Sequence, residues 1–314
     1  MDQTIPDDRL KLMFTCCHPS LSLEAQVALT LHTLGGRLST PEVARAFIVP
    51  VPTVAQRLAR ARSKIRNAGI PYRVPPAELL SERLEALLSV IYLIFNEGYC
   101  ATSGDSLTRK ELCSEGIRLC RILVTLLPQS AEARGLLALM LLHDSRRETR
   151  LDAAGELVLL ENQDRTRWDQ RKIREGVATL DEALTFRTPG PYQIQAAISA
   201  LHAEAPTADA TDWRQIAALY DSLAAMVPSV AVEVSRAVAV AMAWGAQTGL
   251  TMLLRLEHLA DAYYPYHAAR ADLLRRTGQR EAAADAYQRA CDLCSNNAER
   301  THLQQQLDEM KKNR

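Results

Sequence analysis

The chain has 314 residues, enough for two or three domains, and its 37 basic and 37 acidic residues give a formal net charge of zero. An overall cationic nucleic-acid binder is therefore excluded, and any binding to nucleic acid requires a local basic patch. Aromatic residues make up only 5% of the chain, and alanine and leucine dominate it. This composition favours helix throughout and predicts an all-α fold.

Location is predicted from what the sequence does not contain. No run of about eighteen apolar residues indicates a membrane helix, and the N-terminal segment MDQTIPDDRLK is not a signal peptide. The seven cysteines are odd in number and irregular in spacing, which is not typical of a disulfide framework. We therefore expect a cytoplasmic protein that does not associate with a membrane.

Four elements are predicted at the start of the chain. Helices are expected over Asp7–Cys17 and Ser22–Leu34, and a short helix over Thr40–Phe47 precedes a turn over Ile48–Pro50. The adjacent residues Cys16-Cys17-His18 do not predict a zinc site, because neighbouring cysteines cannot easily both ligate one ion and no second cluster completes the set. We expect no metal and no cofactor.

The helix that follows Pro50 divides by face. Val54, Leu58, Ala61 and Ile65 form an apolar stripe at helical spacing. The other side carries only cations among its charged residues, and Pro52 suits the first turn of a helix. A solvated basic helix is the alternative to a DNA-contacting helix. The charged residues of this face are Arg57, Arg60, Arg62, Lys64 and Arg66.

The segments LSTPEVARAF and VPTVAQRLARARSKIR resemble region 4 of the bacterial extracytoplasmic-function sigma factors. The family usually has glycine at the position of Ile48 and serine at that of Pro50, so the turn departs from the pattern. The resemblance implies a helix-turn-helix that reads the −35 promoter element in the major groove and docks on the flap of core RNA polymerase. The residues expected to contact promoter DNA are Pro52, Thr53, Gln56, Arg57, Arg60, Lys64 and Arg66.

A proline-rich stretch separates this region from the rest. We predict a region 4-like domain at 1–70, a linker at 71–76, a helical extension domain at 77–205 and helical repeats at 206–314.

The extension reads as a series of helices. They are predicted over Glu78–Glu97, Thr108–Leu127 and Ala131–His143, and from Gln163 to about Phe186, with a further helix beginning near Pro189.

The C-terminal part predicts tetratricopeptide-like repeats. Small and large residues alternate along one helical hairpin, and Gly245 lies 33 residues before Gly278, close to the roughly 34-residue period of such repeats. An earlier unit at Val230–Glu257 matches loosely, and Asn296–Met310 is expected to be a capping helix. Such repeats form a solenoid whose concave face commonly binds a protein or peptide. The residues of the hairpin pattern are Ala271, Leu274, Gly278, Ala283, Tyr287 and Ala290.

The segments YLIFNEGY, RKELCSEGIRLCR, GLLALMLLH, ENQDRTRWD and GPYQIQAAI resemble the C-terminal extension of one sigma-factor group. That group carries a domain of uncertain function followed by tetratricopeptide-like repeats. The resemblance also implies that the chain begins at the linker before region 4, without the upstream region 2.

Polar and aromatic residues in these motifs form a candidate surface for a partner or ligand. Glu97 and Asp164 are possible acid and base groups, but no nucleophile, phosphate loop or metal set accompanies them, so we expect no enzyme. Helix capping and ion pairs between helices are the structural alternative. The candidate residues are Asn96, Glu97, Tyr99, Gln163, Asp164, Arg165, Trp168 and Tyr192, with Gln193 beside them.

Three hypotheses remain open from the sequence. The first is a sigma-type transcription factor with a regulatory or protein-binding extension. The second is a DNA-binding regulator that does not associate with polymerase, and the third is an enzyme that uses the extension as a pocket.

Overall fold

The computed structural model describes residues 8–18, 20–34, 39–41, 44, 50–68, 70, 83–100 and 108–312. Within these residues the fold is all-α, as predicted, and the only β pairing is an isolated bridge between Leu151 and Leu157. The described helices are α1 Asp8–Cys16, α2 Leu23–Leu34, α3 Val51–Ala68, α4 Leu84–Tyr99, α5 Lys110–Leu126, α6 Ala131–Ser145, α7 Gln170–Thr185, α8 Pro191–Glu204, α9 Trp213–Met226, α10 Val230–Trp244, α11 Ala246–Leu254, α12 Glu257–Ala260, α13 Tyr264–Arg276, α14 Arg280–Leu293 and α15 Asn297–Lys312.

The chain contacts divide these helices into two units. Residues 8–100 and 108–126 contribute to the first, and residues 127–312 to the second. Among the described helices, none is both long enough and apolar enough to cross a bilayer.

The first unit is built on the apolar faces of α1 to α5. α2 packs against α1, α3 and α4, and α4 packs along α5. Phe14, Val54, Leu87 and Phe95 are fully buried in this unit. The sequence placed α4 and α5 in a separate extension, whereas their packing joins them to the N-terminal helices. The predicted linker at 71–76 lies outside the described residues.

The second unit begins with three helices packed closely together, α6 against α7 and α8. α6 is buried along most of its length, including the continuous run Leu136–Leu142. α8, α9 and α10 share a smaller apolar cluster around Ile216. A larger cluster joins α10 to α15, with Leu253, Ala271, Ala283 and Leu307 at its centre.

Two glycines end helices in this unit with backbone angles that favour glycine. Gly245 has φ of 106° between α10 and α11, and Gly278 has φ of 77° between α13 and α14. Each permits the chain to reverse between consecutive helices.

One predicted helix begins later than the sequence indicated. Residues 165–167 form a 3-10 turn, and α7 starts only at Gln170. Asp164 Oδ1 accepts from the backbone N–H of Thr166, and Asp169 Oδ1 accepts from those of Arg171 and Lys172. Asp164 therefore caps the 3-10 turn and Asp169, five residues later, caps α7. The segment that the sequence predicts as one helix is divided between them.

Candidate functional site

The basic face of α3 is the first candidate site. Val54, Leu58 and Ala61 are buried, as the predicted stripe requires, while Ile65 is half-buried. No acidic residue occurs in α3. Its apolar side is thus used for packing, and a cationic side is left at the surface. Pro52, Gln56, Arg60, Arg62, Lys64 and Arg66 are exposed, and Thr53 and Arg57 are half-exposed.

The start of α3 is formed by backbone groups. The carbonyl of Pro50 accepts from the N–H groups of Thr53, at 3.0 Å, and Val54, at 3.4 Å. Proline at this position therefore does not prevent helix initiation, although it supplies no side-chain cap. Most of the predicted helix over Thr40–Phe47, and residues 48 and 49 of the turn, lie outside the described residues. In this stretch the structure describes only residues 39–41, Ala44 and Pro50.

The cations of α3 are not equivalent. Lys64 Nζ donates a hydrogen bond to the backbone carbonyl of Ser20, in the segment that precedes α2. Within the part of the chain that the structure describes, Arg57, Arg60 and Arg66 make no ion pair or hydrogen bond through their side chains. These three guanidinium groups, together with that of the exposed Arg62, are therefore available to an external phosphate.

The candidate residues at the end of α4 have structural contacts. Glu97 is 5% exposed and its Oε1 lies 3.3 Å from Arg109 Nη1. The Gly98 carbonyl accepts from the Arg109 N–H at 2.7 Å, and a Cβ at Gly98 would lie 2.5 Å from the backbone nitrogen of Cys113. Tyr99 is buried and stacks on Phe95. This motif holds α5 against the end of α4.

The motif that precedes α7 is joined by a chain of hydrogen bonds. Trp168 Nε1 donates to Thr149 Oγ1 at 3.0 Å, and the single hydroxyl proton of Thr149 faces two acceptors, the Arg146 carbonyl at 2.9 Å and Gln163 Oε1 at 3.2 Å. Gln163 Nε2 in turn donates to the Val158 carbonyl at 3.0 Å. Asp164 is exposed, and hydrogen bonds from Thr166 lower the pKa of its carboxyl. Gln163, Trp168 and Asp164 thus shape this loop.

Tyr192 and Gln193 belong to a different contact. The carboxylate of Glu132 accepts from the backbone N–H groups of both residues, at 3.0 and 3.2 Å, and from Gln193 Nε2 at 3.1 Å. A Cβ at Gly190 would lie 2.3 Å from Glu132 Cδ. Glu132 therefore caps the N-terminus of α8, and the motif GPYQ fits that carboxylate. Sequence reasoning missed Glu132.

The second unit also contains a cleft of about 900 Å³. Its walls come from the loops before α7 and α9 and from α8, α9, α10, α13, α14 and α15. Residues from these elements that line it include Arg165, His202, Met242, Arg276 and His302. Of the sequence-predicted surface residues, Arg165 lines the cleft. Glu161 and Asn162 of the motif ENQDRTRWD and Tyr287 of the hairpin pattern also line it, although the sequence did not single them out as site residues.

Most acidic groups of the cleft have a partner inside it. Arg276 Nη2 donates to both carboxylate oxygens of Glu161, at 3.0 and 3.2 Å, and Arg276 Nε donates to Asp272 Oδ2 at 2.7 Å. Tyr264 donates its hydroxyl to Glu299 Oε2 at 2.8 Å. These walls also carry the carboxylate of Asp209, so four acidic groups face the two guanidinium groups of Arg165 and Arg276.

His202 is held neutral at the cleft wall. Burial and the charges of Arg146 and Arg165 lower its pKa to about 4. Its ring meets the edge of Trp213 with centroids 5.1 Å apart. At neutral pH the imidazole therefore offers one N–H donor and one nitrogen acceptor.

Comparison with known proteins identifies relatives but no activity. Residues 83–184 match a family of unknown function (DUF6596). An uncharacterized protein of Rhizobium meliloti (strain 1021) is 43% identical over 304 residues, which cover 97% of this chain and 72% of the relative. No solved structure matches the chain.

Proposed function

We propose that this chain, which belongs to the same protein family as the Rhizobium meliloti protein, is a sigma-type transcription initiation factor or the promoter-reading part of one. The observation that carries the proposal is the arrangement of α3. One side is buried through Val54, Leu58 and Ala61, and the other presents only cations among its charged groups. A helix of this kind suits a major groove flanked by phosphates.

The resemblance of Leu38–Arg66 to region 4 assigns the roles on this helix. Thr53, Gln56 and Arg57 lie near its N-terminus and would reach base edges of the −35 element. Arg60, Lys64 and Arg66 lie further along and would contact phosphates. Lys64 would first have to leave the Ser20 carbonyl, whereas Arg60 and Arg66 would not.

We propose in addition that α10 to α15 are tetratricopeptide-like repeats that act as a regulatory or protein-interaction module. Two helix pairs, α10 with α11 and α13 with α14, each reverse at a glycine with positive φ. Ala271 and Ala283 are fully buried at small positions of the expected pattern. The core RNA polymerase flap is the proposed partner of the N-terminal unit, and the repeat face is the proposed site for a further protein.

Two measurements test the main proposal. Selection from a pool of random duplexes, followed by sequencing, should return a short preferred motif for the wild-type chain and a more degenerate motif for Arg57→Ala. Arg174→Ala, an exposed arginine on α7, should return the wild-type motif and serves as the matched control. A wild-type chain without sequence preference would contradict the assignment of α3.

Association with core RNA polymerase distinguishes the two DNA-binding hypotheses. Gel filtration of the chain with purified core enzyme should show co-elution if it is a sigma-type factor. A sequence preference without co-elution would instead favour a regulator that acts independently of polymerase.

A further inference from the structure

Arg165 is held in the cleft by neutral groups. Its Nη1 donates to the backbone carbonyls of His202, at 2.5 Å, and Ala205, at 2.8 Å, and its Nη2 donates to Thr211 Oγ1 at 3.4 Å. The guanidinium also lies over the Trp168 ring, 4.9 Å from the centroid. Among the described residues, no carboxylate forms an ion pair with Arg165. A guanidinium has five N–H groups, so these bonds leave part of its donor capacity unused.

The acids of the cleft do not pair directly with Arg165. Glu161 and Asp272 bond to Arg276, Glu299 accepts from Tyr264, and the exposed Asp209 forms no ion pair with Arg165. Burial, followed by the charge of Arg146, lowers the pKa of Arg165, and no acid acts in the opposite direction. The charge of Arg165 is therefore not neutralised by a bonded carboxylate, so an acid group bound directly against this guanidinium would be stabilised.

Two further polar groups face the same region. Thr211 is 6% exposed and lines the cleft. His202 is neutral at pH 7, and in the described part of the chain its ring nitrogens make no hydrogen bond. A bound acid group would therefore find a cation and a neutral imidazole donor close together.

The remainder of the cleft offers apolar surface. Leu157, Leu160, Trp213 and Met242 line it, and Leu159 in the same wall is 37% exposed. A volume of about 900 Å³ is within the range of small-molecule sites, which combine apolar walls with a few convergent polar groups.

We propose that this cleft binds a small organic anion, whose acid group bonds to Arg165 and His202 and whose apolar body lies against the leucines and Trp213. This site goes beyond the proposed role in transcription and does not depend on it, because it involves no residue of α3. The second unit would then respond to a metabolite-sized organic acid.

Two dyes with the same aromatic body test whether binding depends on the negative charge or only on the apolar rings. 8-Anilinonaphthalene-1-sulfonate carries an acid group, and N-phenyl-1-naphthylamine does not. Fluorescence titration of the full chain should show one saturable site for the sulfonate, with about tenfold or greater weaker binding of the neutral dye. Equal affinity for both dyes, or no saturable binding of the sulfonate, would overturn the proposal.

Two substitutions test whether the dye binds in the cleft. Arg165→Gln should weaken sulfonate binding about tenfold and leave the neutral dye unchanged, because only the anion uses the guanidinium. Arg167→Gln removes the same charge from an exposed position two residues away and should bind the sulfonate as the wild type does. Unchanged sulfonate binding by Arg165→Gln would contradict the site.

Arg165 also donates hydrogen bonds to the carbonyls of His202 and Ala205 at the end of α8, so its substitution removes structural contacts as well as the charge. A second variant therefore keeps Arg165. Ala268→Trp fills the cleft from α13 and should abolish binding of the sulfonate, with circular dichroism checked against wild type. Full sulfonate binding by this variant would place the dye elsewhere and refute the proposal.

Competition identifies the ligand class. Decanoate should displace the sulfonate. Decanol and inorganic phosphate at the same concentration should not, because decanol lacks the negative charge and phosphate lacks an apolar body. Displacement by phosphate alone would overturn the requirement for an organic anion. If the chain selects a DNA motif but does not bind the dye, only the proposed ligand site is refuted. If it binds the dye but selects no DNA motif, only the proposed role of α3 is refuted.

Discussion

The guanidinium of Arg83 donates a hydrogen bond from Nη1 to the backbone carbonyl of Phe14, at 2.8 Å, although 69 positions separate the two residues in sequence. Arg83 is 8% exposed and Phe14 is fully buried. The residue just before α4 is thus fixed to α1. α4 and α5 complete the core of the unit that carries α3, which the proline-rich stretch at 71–76 did not suggest.

Arg83→Ala should destabilise the first unit. Loss of a buried hydrogen bond from a charged donor is expected to reduce the free energy of unfolding by about 1.5–3 kcal/mol. Urea denaturation followed by far-ultraviolet circular dichroism, together with faster amide exchange in α1, would measure this. Arg118→Ala, which removes the more exposed pair with Glu115, should change stability by about 1 kcal/mol or less. Equal effects of the two substitutions would contradict a special role for Arg83.

Helices with regular apolar spacing were the part of the fold that could be predicted. The stripe of Val54, Leu58 and Ala61 is buried because 3.6-residue periodicity is a local property of the chain. Contacts between distant residues could not be predicted in this way. Glu132 caps α8 from 61 positions away, and no local pattern encodes that pairing.

Several residues of the candidate surface make structural contacts that the sequence does not show. Gln163, Trp168 and Tyr192 are polar or aromatic residues in recognisable motifs, but their side chains or backbone groups are used to hold neighbouring segments. The cleft is formed by residues from six helices and two loops, including His202 and Arg276. Only tertiary packing brings them together, so single-sequence reasoning found Arg165 and not the others.

The contact between Glu132 and the start of α8 predicts non-additive substitutions. Gly190→Ala should be destabilising by about 1–3 kcal/mol, because its Cβ would lie 2.3 Å from Glu132 Cδ. The backbone there is extended, so the added side chain causes no conformational strain of its own. Glu132→Ala alone should also be destabilising, since three donors lose their acceptor.

The double variant separates these effects. In Glu132→Ala combined with Gly190→Ala, the obstructing carboxylate is gone, so the alanine at 190 should cost much less than in the wild-type background. Thermal and urea unfolding of the four proteins would give the coupling energy. Additive effects would show that the carboxylate does not occupy the space above Gly190.

His202 predicts that the second unit loses stability in mild acid. Its pKa is about 4 in the folded chain, against about 6.5 when unfolded. Between these values the unfolded chain binds a proton that the folded chain does not, so stability falls as pH decreases from about 6.5 to about 4. The total contribution is at most about 3 kcal/mol. Burial also lowers the pKa of His143 in the same direction.

Substitution of His202 should reduce this pH dependence. His202→Gln should flatten the curve of unfolding free energy between about pH 6.5 and pH 4, measured by tryptophan fluorescence, which reports Trp168, Trp213 and Trp244. His258→Gln changes an exposed histidine and should leave the wild-type slope. An unaltered slope in His202→Gln would assign the acid sensitivity to other groups.

On α3, two arginines should differ in what they contribute to DNA binding. Arg57→Ala should cost about 1–3 kcal/mol on the preferred duplex and reduce discrimination against a random one. Arg60→Ala should weaken both duplexes alike and lower the salt slope by about one unit. Fluorescence anisotropy at several salt concentrations measures both effects. Lys64→Ala should resemble Arg60→Ala only if Lys64 is released from Ser20 on binding.

The packing of α4 and α5 also predicts which fragment retains DNA binding. A fragment of residues 1–126 contains α3 together with the described helices that pack in its unit, and it should bind the selected duplex. A fragment of residues 1–76 lacks Arg83 and the buried faces of α4 and α5, so it should be unstable and bind poorly. Comparable binding by the two fragments would show that α4 and α5 are dispensable for α3.

Promoter-dependent transcription by the complete factor, with and without residues 127–314, tests regulation by the second unit. We expect the two forms to differ in activity, and identical activity at every salt concentration would contradict a regulatory role.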